Sequence, residues 1–324
     1  MATASGESRK TEVDALLANV AVVRAIGNTP LLRLRRFAVE QNIASPVEIW
    51  LKAEWVNPGG SIKDRPALAI VRSGLKSGQL GEGRALLDAT SGNTGIAYAM
   101  LGAAIGFPVE LVLPGNASEE RKQILAAYGA KIIESDPYDG SNGAIRHVRE
   151  MAAANPERYY YADQYSHPAN PEAHFATTGP EIWRQTDGRV THFIAGLGTT
   201  GTMMGVGRYL KQQNPDVQLV GVQPSESFHG IEGLKHLPTA IVPTIYDESV
   251  PDRQIGVETE DAFAVARNLA RLEGLFVGTS TGAALAAALR IGTEAAANGQ
   301  PAVIVAIAPD NGSKYLSTGL WGNA

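Results

Sequence analysis

The sequence has 324 residues, of which 44% are hydrophobic and 19% are charged, and its formal net charge is −5. This composition is typical of a globular protein with room for two domains, and the lack of a basic excess argues against nucleic acids and anionic membranes as partners. The sequence has no cysteine, which excludes disulfides, thiolate metal ligands and a thiol nucleophile and is typical of cytoplasmic proteins. No segment is apolar enough for a signal peptide or a membrane span, and the six histidines show no ligand spacing, so we expect no metal site.

The chain alternates between predicted strands and helices. Residues 1–12 are predicted to form a flexible tail, a short helix follows near residues 13–23, and a turn leads into a strand that ends at residue 34. Further strands are predicted at residues 47–52, 85–89, 109–113, 131–133, 159–162, 192–195, 218–222 and 302–308. Strands that are apolar at every position are buried on both faces, which predicts a doubly wound parallel α/β fold. The number of strands predicts two sheets.

The stretch 57–66, Asn-Pro-Gly-Gly-Ser-Ile-Lys-Asp-Arg-Pro, places a lysine after a glycine turn. The apolar run 67–71 predicts a helix, and Pro66 belongs in its first turn, so we expect Asp64 to be the N-cap and Lys63 to lie at the helix entrance. The positive end of a helix disfavours an ammonium group, and a neutral amine is a nucleophile for carbonyl carbons. The alternative is an ordinary solvated lysine beside a turn.

A polar loop, residues 90–95, follows the predicted strand 85–89 and precedes a predicted helix at residues 96–105. It is made of Thr90, Ser91, Gly92, Asn93, Thr94 and Gly95. Its hydroxyls, carboxamide and backbone N–H groups at a helix N-terminus are the groups that bind a carboxylate. The alternative is that these side chains only cap the helix.

A second loop, residues 196–202, opens a predicted helix at residues 203–213, and its glycines satisfy the G-x-G-x-x-G spacing of dinucleotide sites. A dinucleotide site also needs an acidic residue after the next strand, but the strand 218–222 is followed by Gln223. The loop contains the hydroxyls of Thr199, Thr200 and Thr202. These features favour a single phosphate group as the ligand, with an empty structural turn as the alternative.

A third loop, residues 278–282, follows a short apolar stretch at residues 275–277 that we interpret as a strand, and precedes a helix at residues 283–290. Its hydroxyls are able to bond a ring heteroatom, but the loop taken by itself is better explained as a helix cap. A nucleophilic lysine, a phosphate cradle and a carboxylate-binding loop together indicate a cofactor that combines an aldehyde with a phosphate, which is pyridoxal 5′-phosphate.

These motifs resemble, in order and from about residue 24 to residue 320, those of the cysteine synthases (O-acetylserine sulfhydrylases). The segments that carry the resemblance are residues 27–31, 57–65, 90–95, 177–183, 198–202, 278–282 and 314–319. The loop 198–202 and the segment 230–238 are most similar to the B isozyme, which is also described as using thiosulfate. The resemblance implies two doubly wound α/β domains of the fold-type II (tryptophan synthase β-like) class. A smaller, mobile, substrate-binding domain would cover residues 58–162, and a larger, phosphate-binding domain would cover residues 20–57 and 163–324.

The resemblance also implies a role for each site residue. Lys63 would be the catalytic residue and would carry the cofactor as a Schiff base, Asn93 would meet the 3′-oxygen of the pyridine ring, and Ser280 would face the pyridine nitrogen. The cofactor phosphate would be bound by Gly198, Thr199, Thr200, Gly201 and Thr202. The substrate carboxylate would be bound by Thr90, Ser91, Gly92, Asn93, Thr94 and Gln164.

The implied reaction is a β-replacement in which O-acetyl-L-serine and sulfide, or thiosulfate, give L-cysteine and acetate, with Lys63 as the general base. The resemblance implies a cytoplasmic homodimer with a serine acetyltransferase as a candidate partner. Cystathionine β-synthase shares the cofactor residues and stays as an alternative, as does a catalytically idle homologue that binds a partner. No arginine lies between residues 209 and 252, which disfavours O-phosphoserine, and Gly59 replaces another small residue of the family, which predicts a looser turn.

Overall fold

The computed structural model describes residues 6–43, 46–81, 83–90 and 92–322. The chain divides into two compact units, each with its own sheet and core. Unit 1 consists of Met1–Ile26, Asn57–Gly59 and Lys63–Asn170, and unit 2 consists of Gly27–Val56, Gly60–Ile62 and Pro171–Ala324. The chain therefore passes from unit 2 to unit 1 twice, between Val56 and Asn57 and between Ile62 and Lys63.

The secondary structure alternates as the apolar periodicity predicts. The strands are β1 Leu31–Leu34, β2 Val47–Ala53, β3 Ala85–Ala89, β4 Val109–Pro114, β5 Lys131–Ser135, β6 Tyr159–Tyr161, β7 His192–Gly196, β8 Gln218–Pro224, β9 Arg253–Val257 and β10 Ala302–Ala308. The α-helices are α1 Gly6–Asn19, α2 Ala21–Arg24, α3 Arg36–Glu40, α4 Asp64–Ser77, α5 Asn93–Ile105, α6 Glu119–Ala127, α7 Gly140–Ala154, α8 Ala169–Ala173, α9 Gly179–Gln185, α10 Gly201–Gln213, α11 Thr259–Glu273 and α12 Thr279–Ala297. A π-helical turn, His174–Thr178, joins α8 to α9.

Unit 1 is built on a parallel four-stranded sheet with the order β5-β4-β3-β6. The central strand β3 is buried at all five positions, which requires cover on both faces of the sheet. Helices α4 and α5 pack in the same core, where Ile70 and Val71 meet Ile96 and Tyr98. The end of β3 and the start of α5 therefore have fixed positions within this unit.

The first described helix differs from the sequence prediction. Residues 6–12, predicted to belong to a flexible tail, form the start of α1, while residues 1–5 lie outside the described part of the chain. Val13 and Leu17 are buried in the core of unit 1, and the Asp14 carboxylate forms an ion pair with the Lys76 ammonium at 2.7 Å. These contacts hold the helix against α4 and explain why helical structure extends further than the sequence suggests.

Unit 2 is built on a six-stranded sheet with the order β1-β2-β10-β7-β8-β9. Strand β10 is buried at all seven positions and pairs in parallel with both β2 and β7. Strand β1 is antiparallel to β2, and the other pairs are parallel. The predicted parallel α/β fold with two sheets is therefore confirmed.

Two local predictions for unit 2 are wrong. Residues 275–277 are not a strand of the sheet, because Val277 makes only an isolated bridge with Asn311. The sheet instead gains β9, an edge strand that the sequence did not predict. None of the helices described above combines the length and the apolarity needed to cross a membrane.

Candidate active site

Lys63 lies at the N-terminus of α4, in unit 1. The helix begins at Asp64, so Lys63 itself occupies the N-cap position, and the expectation that Asp64 is the N-cap is wrong by one residue. The Asp64 side chain turns back along the chain instead, where its Oδ2 atom accepts a hydrogen bond from the Gly59 backbone N–H at 2.6 Å. This bond closes the turn that precedes Lys63.

Gly59 and Gly60 shape that turn in different ways. A Cβ atom at Gly59 would lie 2.4 Å from the Asp64 Oδ1 atom, so any side chain there would displace the buried carboxylate. Gly60 has a φ of +74°, in the left-handed region that favours glycine. The structure therefore shows a tight, anchored turn at Gly59, in contrast to the looser turn that the sequence predicted.

The polar loop that follows β3 is organised around the Thr90 hydroxyl. Its oxygen accepts hydrogen bonds from the backbone N–H groups of Gly92 at 3.0 Å and Gly95 at 3.1 Å. Gly95 lies in the first turn of α5, so Thr90 satisfies one of the N–H groups that a helix N-terminus leaves free. A hydroxyl also carries one proton that it can donate. Ser91, another predicted carboxylate ligand, lies outside the described residues.

Gln164 braces the same loop from a distant part of the sequence. The Thr94 hydroxyl donates to the Gln164 Oε1 atom at 2.6 Å, and the Gln164 Nε2 atom donates to the Ala89 carbonyl oxygen at 2.6 Å. The Asn170 Nδ2 atom in turn donates to the Gln164 carbonyl oxygen. Asn93 is the first residue of α5 and is half-buried. The structure thus brings Thr90, Gly92, Thr94 and Gln164 together.

Asp88, at the end of β3, also holds this loop in place, and the sequence did not identify this residue. Its Oδ1 atom accepts from the Ala89 N–H at 2.8 Å, and its Oδ2 atom accepts from the Gln164 N–H at 3.3 Å. Complete burial raises the pKa of the Asp88 carboxyl well above its usual value, and the nearby charge of Asp163 raises it further. The feature of the sequence that could have identified Asp88 is that it is an acidic residue inside the apolar strand β3.

The predicted phosphate loop lies in unit 2, between β7 and α10. Thr200 is the N-cap of α10 with a φ of +69°, and its buried Oγ1 atom has no hydrogen-bond partner among the described residues. A Cβ atom at Gly198 would lie 2.1 Å from the Gly233 carbonyl oxygen, so only glycine fits there. The loop therefore offers a hydroxyl and a helix N-terminus to an anionic ligand.

Two buried side chains lie behind this loop. The His174 Nε2 atom lies 3.3 Å from the Thr202 hydroxyl, and its Nδ1 atom lies 3.0 Å from the Thr178 hydroxyl. Nothing in the sequence indicated this contact, because the sequence showed only that the histidines lack the spacing of metal ligands. The backbone N–H of Lys235 donates to the Leu197 carbonyl oxygen, and burial lowers the pKa of the Lys235 ammonium to about 8.

Ser280, also in unit 2, lies in the first turn of α12 and is buried. The third predicted loop is therefore helical from Thr279 onwards, with Gly278 as the N-cap. The buried Oγ1 atoms of Thr279 and Thr281 have no hydrogen-bond partner within the described chain. Buried hydroxyls of this kind are uncommon unless a ligand or water completes them.

The comparisons with known proteins identify the family. The family model described as pyridoxal-phosphate dependent enzyme matches residues 22–310. The chain belongs to this family. Its dependence on pyridoxal 5′-phosphate, which the sequence predicted, is thereby confirmed.

Similar proteins narrow the assignment further. The chain is 55% identical over 300 residues to the cysteine synthase of Aquifex aeolicus, covering 93% of this chain and 91% of the relative. It is 44% identical over 299 residues to cysteine synthase B of Escherichia coli, covering 92% and 95%. A crystal structure of cysteine synthase from Entamoeba histolytica matches with a TM-score of 0.86 at 36% identity, over 93% of this chain and 90% of that chain. The chain is therefore a pyridoxal-phosphate dependent enzyme of the cysteine synthase type with the fold-type II architecture, as predicted.

The residues of unit 2 suit the cofactor of this family. A phosphate group can accept the hydrogen bond that the buried Thr200 hydroxyl does not make within the described residues, and the N-terminus of α10 favours its negative charge. The neutral Ser280 hydroxyl suits an unprotonated ring nitrogen, because a hydroxyl can donate a hydrogen bond without carrying charge.

Proposed function

We propose that this protein is a cysteine synthase that converts O-acetyl-L-serine and sulfide into L-cysteine and acetate. The observation that carries the choice of reaction is the similarity to cysteine synthases over more than nine-tenths of the chain. The geometry of each unit supports it, because unit 1 presents hydroxyls at the start of α5 and unit 2 presents a buried hydroxyl at the start of α10. Unit 1 would bind the amino-acid substrate, and unit 2 would bind the cofactor phosphate.

The cofactor would be held by residues of four segments, which are the turn before α4 and the starts of α5, α10 and α12. Pyridoxal phosphate, when bound, withdraws electrons from Cα of an attached amino acid and so makes its proton acidic. Lys63 would bind the aldehyde carbon of the cofactor, and Asn93 would bond the 3′-oxygen of the ring. Ser280 would donate to the ring nitrogen. The phosphate would be bound by Gly198, Thr199, Thr200, Gly201 and Thr202.

The substrate carboxylate is bound at the N-terminus of α5, where the helix dipole favours an anion. The Thr90 oxygen accepts two backbone hydrogen bonds, and its hydroxyl would donate its one proton to the carboxylate. Gln164 keeps one Nε2 proton beyond the one that it donates to Ala89. The remaining ligands that we propose are Ser91, Gly92, Asn93 and Thr94.

Lys63 moves the proton of the reaction. The substrate amino group would replace Lys63 at the aldehyde carbon. The freed Lys63 amine would then take the proton from Cα as general base, and acetate would leave from Cβ with the electron pair of the broken C–O bond. Hydrosulfide then forms the new bond to Cβ, and the Lys63 ammonium returns the proton to Cα. The net change replaces acetate by sulfur at Cβ without oxidation or reduction.

The assembly and setting follow from the same resemblance. We propose a cytoplasmic homodimer, with a serine acetyltransferase as a candidate partner. Light scattering coupled to size-exclusion chromatography tests the dimer directly, because a single peak at twice the mass of 34.2 kDa is expected. A peak at the mass of one chain would contradict it.

To test the reaction, the purified holoenzyme is incubated with O-acetyl-L-serine and one acceptor, which is sulfide, thiosulfate or homocysteine in separate reactions. The products are identified by mass spectrometry. We expect cysteine from sulfide as the fastest reaction. Cystathionine as the dominant product would establish the alternative synthase activity instead. No product from any acceptor would show a catalytically idle homologue. A parallel reaction with O-phosphoserine and sulfide is expected to be much slower than with O-acetylserine.

A further inference from the structure

Residues 309–315 follow β10, and the last two of them, Lys314 and Tyr315, belong to the segment 314–319 that carries part of the family resemblance. The reaction described above assigns no role to residues 309–315. Within unit 2 this segment is joined to the residues just before Lys63. The Ile62 backbone N–H donates to the Pro309 carbonyl oxygen at 2.9 Å, and Ser61 forms an isolated antiparallel bridge with Asp310. Segment 309–315 therefore fixes the backbone that ends at Lys63.

The same segment is joined to the N-terminus of α12. The Gly278 backbone N–H donates to the Asp310 carbonyl oxygen at 3.1 Å, and the Gly312 N–H donates to the Phe276 carbonyl oxygen at 3.0 Å. Gly278 is the N-cap of α12, two residues before Ser280. One short segment thus anchors the chain ahead of both residues.

Lys314 contributes a buried charge to this anchor. Its side chain is only 4% exposed, and its Nζ atom donates to the Gly60 carbonyl oxygen at 3.1 Å. An ammonium group loses much hydration on burial, so its hydrogen bonds to the protein strongly constrain what they hold. Here the constrained group is the left-handed residue of the turn that leads to Lys63.

Asp310 contributes a second buried charge-bearing group. It is fully buried, and its Oδ2 atom accepts a hydrogen bond from the Tyr315 hydroxyl at 2.7 Å. A Cβ atom at Gly278 would lie 2.1 Å from the Asp310 Oδ1 atom, so the start of α12 packs directly on this carboxyl group. Any displacement of Asp310 would move the first turn of α12.

We propose that Lys314 and Asp310 are positioning residues, which fix the turn that ends at Lys63 and the helix start that carries Ser280. The inference rests on the proposed roles of Lys63 and Ser280. It matters for the rate because Lys63 must reach one carbon atom of the cofactor and one proton of the substrate, and a displacement of about 1 Å can cost about a hundredfold in rate. Neither residue has to touch the substrate to have this effect.

The test compares Lys314→Met, which keeps the aliphatic stem but removes the ammonium group, with Lys211→Met as the control. Lys211 also donates to a backbone carbonyl oxygen in unit 2, that of Pro215, but it lies on a partly exposed surface. Apoprotein of each variant is mixed with pyridoxal phosphate, and borohydride is added at successive times. Peptide mapping by mass spectrometry then measures how fast the cofactor becomes linked to Lys63.

We expect linkage in Lys314→Met to be slowed by about tenfold or more, and kcat to fall by a similar factor with KM for O-acetylserine changed less than twofold. Lys211→Met should behave as the wild type. Equal linkage rates in the two variants would refute the role of Lys314. If the wild type is not modified at Lys63, the proposed function fails instead, so the two failures are distinguishable.

A second variant covers the outcome in which Lys314→Met does not fold, which a thermal melt of the apoprotein would reveal. Tyr315→Phe removes the donor to Asp310 and keeps the buried ring. We expect its linkage rate to fall about threefold, because the Asp310 carboxyl loses one fixing hydrogen bond. A wild-type rate in Tyr315→Phe would contradict the role of Asp310.

Discussion

The starts of α5 and α10 both present hydroxyls at a helix N-terminus, but the hydrogen-bond partners of these hydroxyls differ. At α5, Thr90 accepts two backbone hydrogen bonds and Thr94 donates to Gln164, so the loop is held by partners within unit 1. At α10, the buried Thr200 hydroxyl has no partner among the described residues. Within the described residues, the Thr90 and Thr94 hydroxyls have partners in the protein, whereas the Thr200 hydroxyl has none.

This difference fits the two ligands that we propose. A substrate arrives and leaves in every turnover, so a loop that binds it must keep its shape while it is empty. A cofactor stays bound, so its loop can leave a hydroxyl to be satisfied by the phosphate. An unsatisfied buried hydroxyl costs about 1–3 kcal/mol, and this cost is removed when the phosphate accepts the bond.

Replacing Lys63 should have the largest effect on activity while leaving both loops intact. We expect Lys63→Ala to lower kcat/KM by at least about a thousandfold, because the same amine carries the cofactor and moves the proton. Equilibrium dialysis should still detect bound pyridoxal phosphate, held through the α10 loop. Lys76→Ala is the control, since Lys76 lies in the same helix and pairs with Asp14 on the surface. If Lys63→Ala keeps more than a tenth of the wild-type activity, the proposed role of Lys63 in the reaction is wrong.

Removing the Thr200 hydroxyl should separate cofactor affinity from stability. We expect Thr200→Val to weaken pyridoxal phosphate binding by about tenfold, because a hydrogen bond to a charged phosphate is lost. The melting temperature of the apoprotein should stay the same or rise, since an unsatisfied polar atom is removed. Thr186→Val is the control, because its buried hydroxyl donates to the Ile182 carbonyl oxygen. If Thr200→Val lowers the melting temperature of the apoprotein but binds the cofactor normally, the hydroxyl serves the stability of the protein and not the binding of the phosphate, which would contradict the proposal.

Removing the Thr94 hydroxyl should give the opposite pattern. We expect Thr94→Val to destabilise the apoprotein by about 1–2 kcal/mol, because the Gln164 oxygen loses its buried donor. The KM for O-acetylserine should rise several-fold, while the affinity for pyridoxal phosphate stays unchanged. Denaturant unfolding, steady-state kinetics and dialysis measure the three quantities. An unchanged unfolding midpoint would show that the loop does not depend on this bond.

The smallest effect concerns the pH dependence of the apoprotein near the α10 loop. Burial lowers the pKa of Lys235 from its usual 10.5 to about 8. Between these two pH values the unfolded state binds a proton at Lys235 that the folded state does not bind. Wild-type stability should therefore fall as the pH decreases from about 10 to 8, and this slope should be absent in Lys235→Met. At pH 7 we expect the variant apoprotein to be more stable by about 1 kcal/mol. Urea unfolding at several pH values tests this, and parallel curves would contradict it.

The sequence predicted the strands that are apolar at every position, and it did so with correct bounds for β3 and β10. Strand β9 was missed because it is an edge strand whose alternate residues are exposed, so it contains no apolar run. Residues 275–277 have the composition of a strand, but β7, β8 and β10 already occupy the sheet centre and leave them an isolated bridge. Local pattern determines burial, but tertiary pairing determines which segment joins the sheet.

The site divides in the same way. Some site residues, such as Lys63, Thr90 and Thr200, belong to short sequence motifs with a recognisable composition. These residues could therefore be predicted from the sequence. The supporting residues could not, because their partners are distant in the chain. Asp88 bonds a residue 76 positions away, and His174 contacts a residue 28 positions away. Nothing in the local sequence around either residue specifies such a partner.

The most direct test of the central claim is the visible absorption spectrum of the purified holoenzyme, recorded before and after O-acetylserine and again after sulfide. If Lys63 carries the cofactor and the protein is a cysteine synthase, the protein is yellow, O-acetylserine shifts its band, and sulfide restores the original spectrum. A spectrum that does not respond to O-acetylserine would contradict the account. A shifted band that homocysteine restores and sulfide does not would instead assign the protein to cystathionine synthesis.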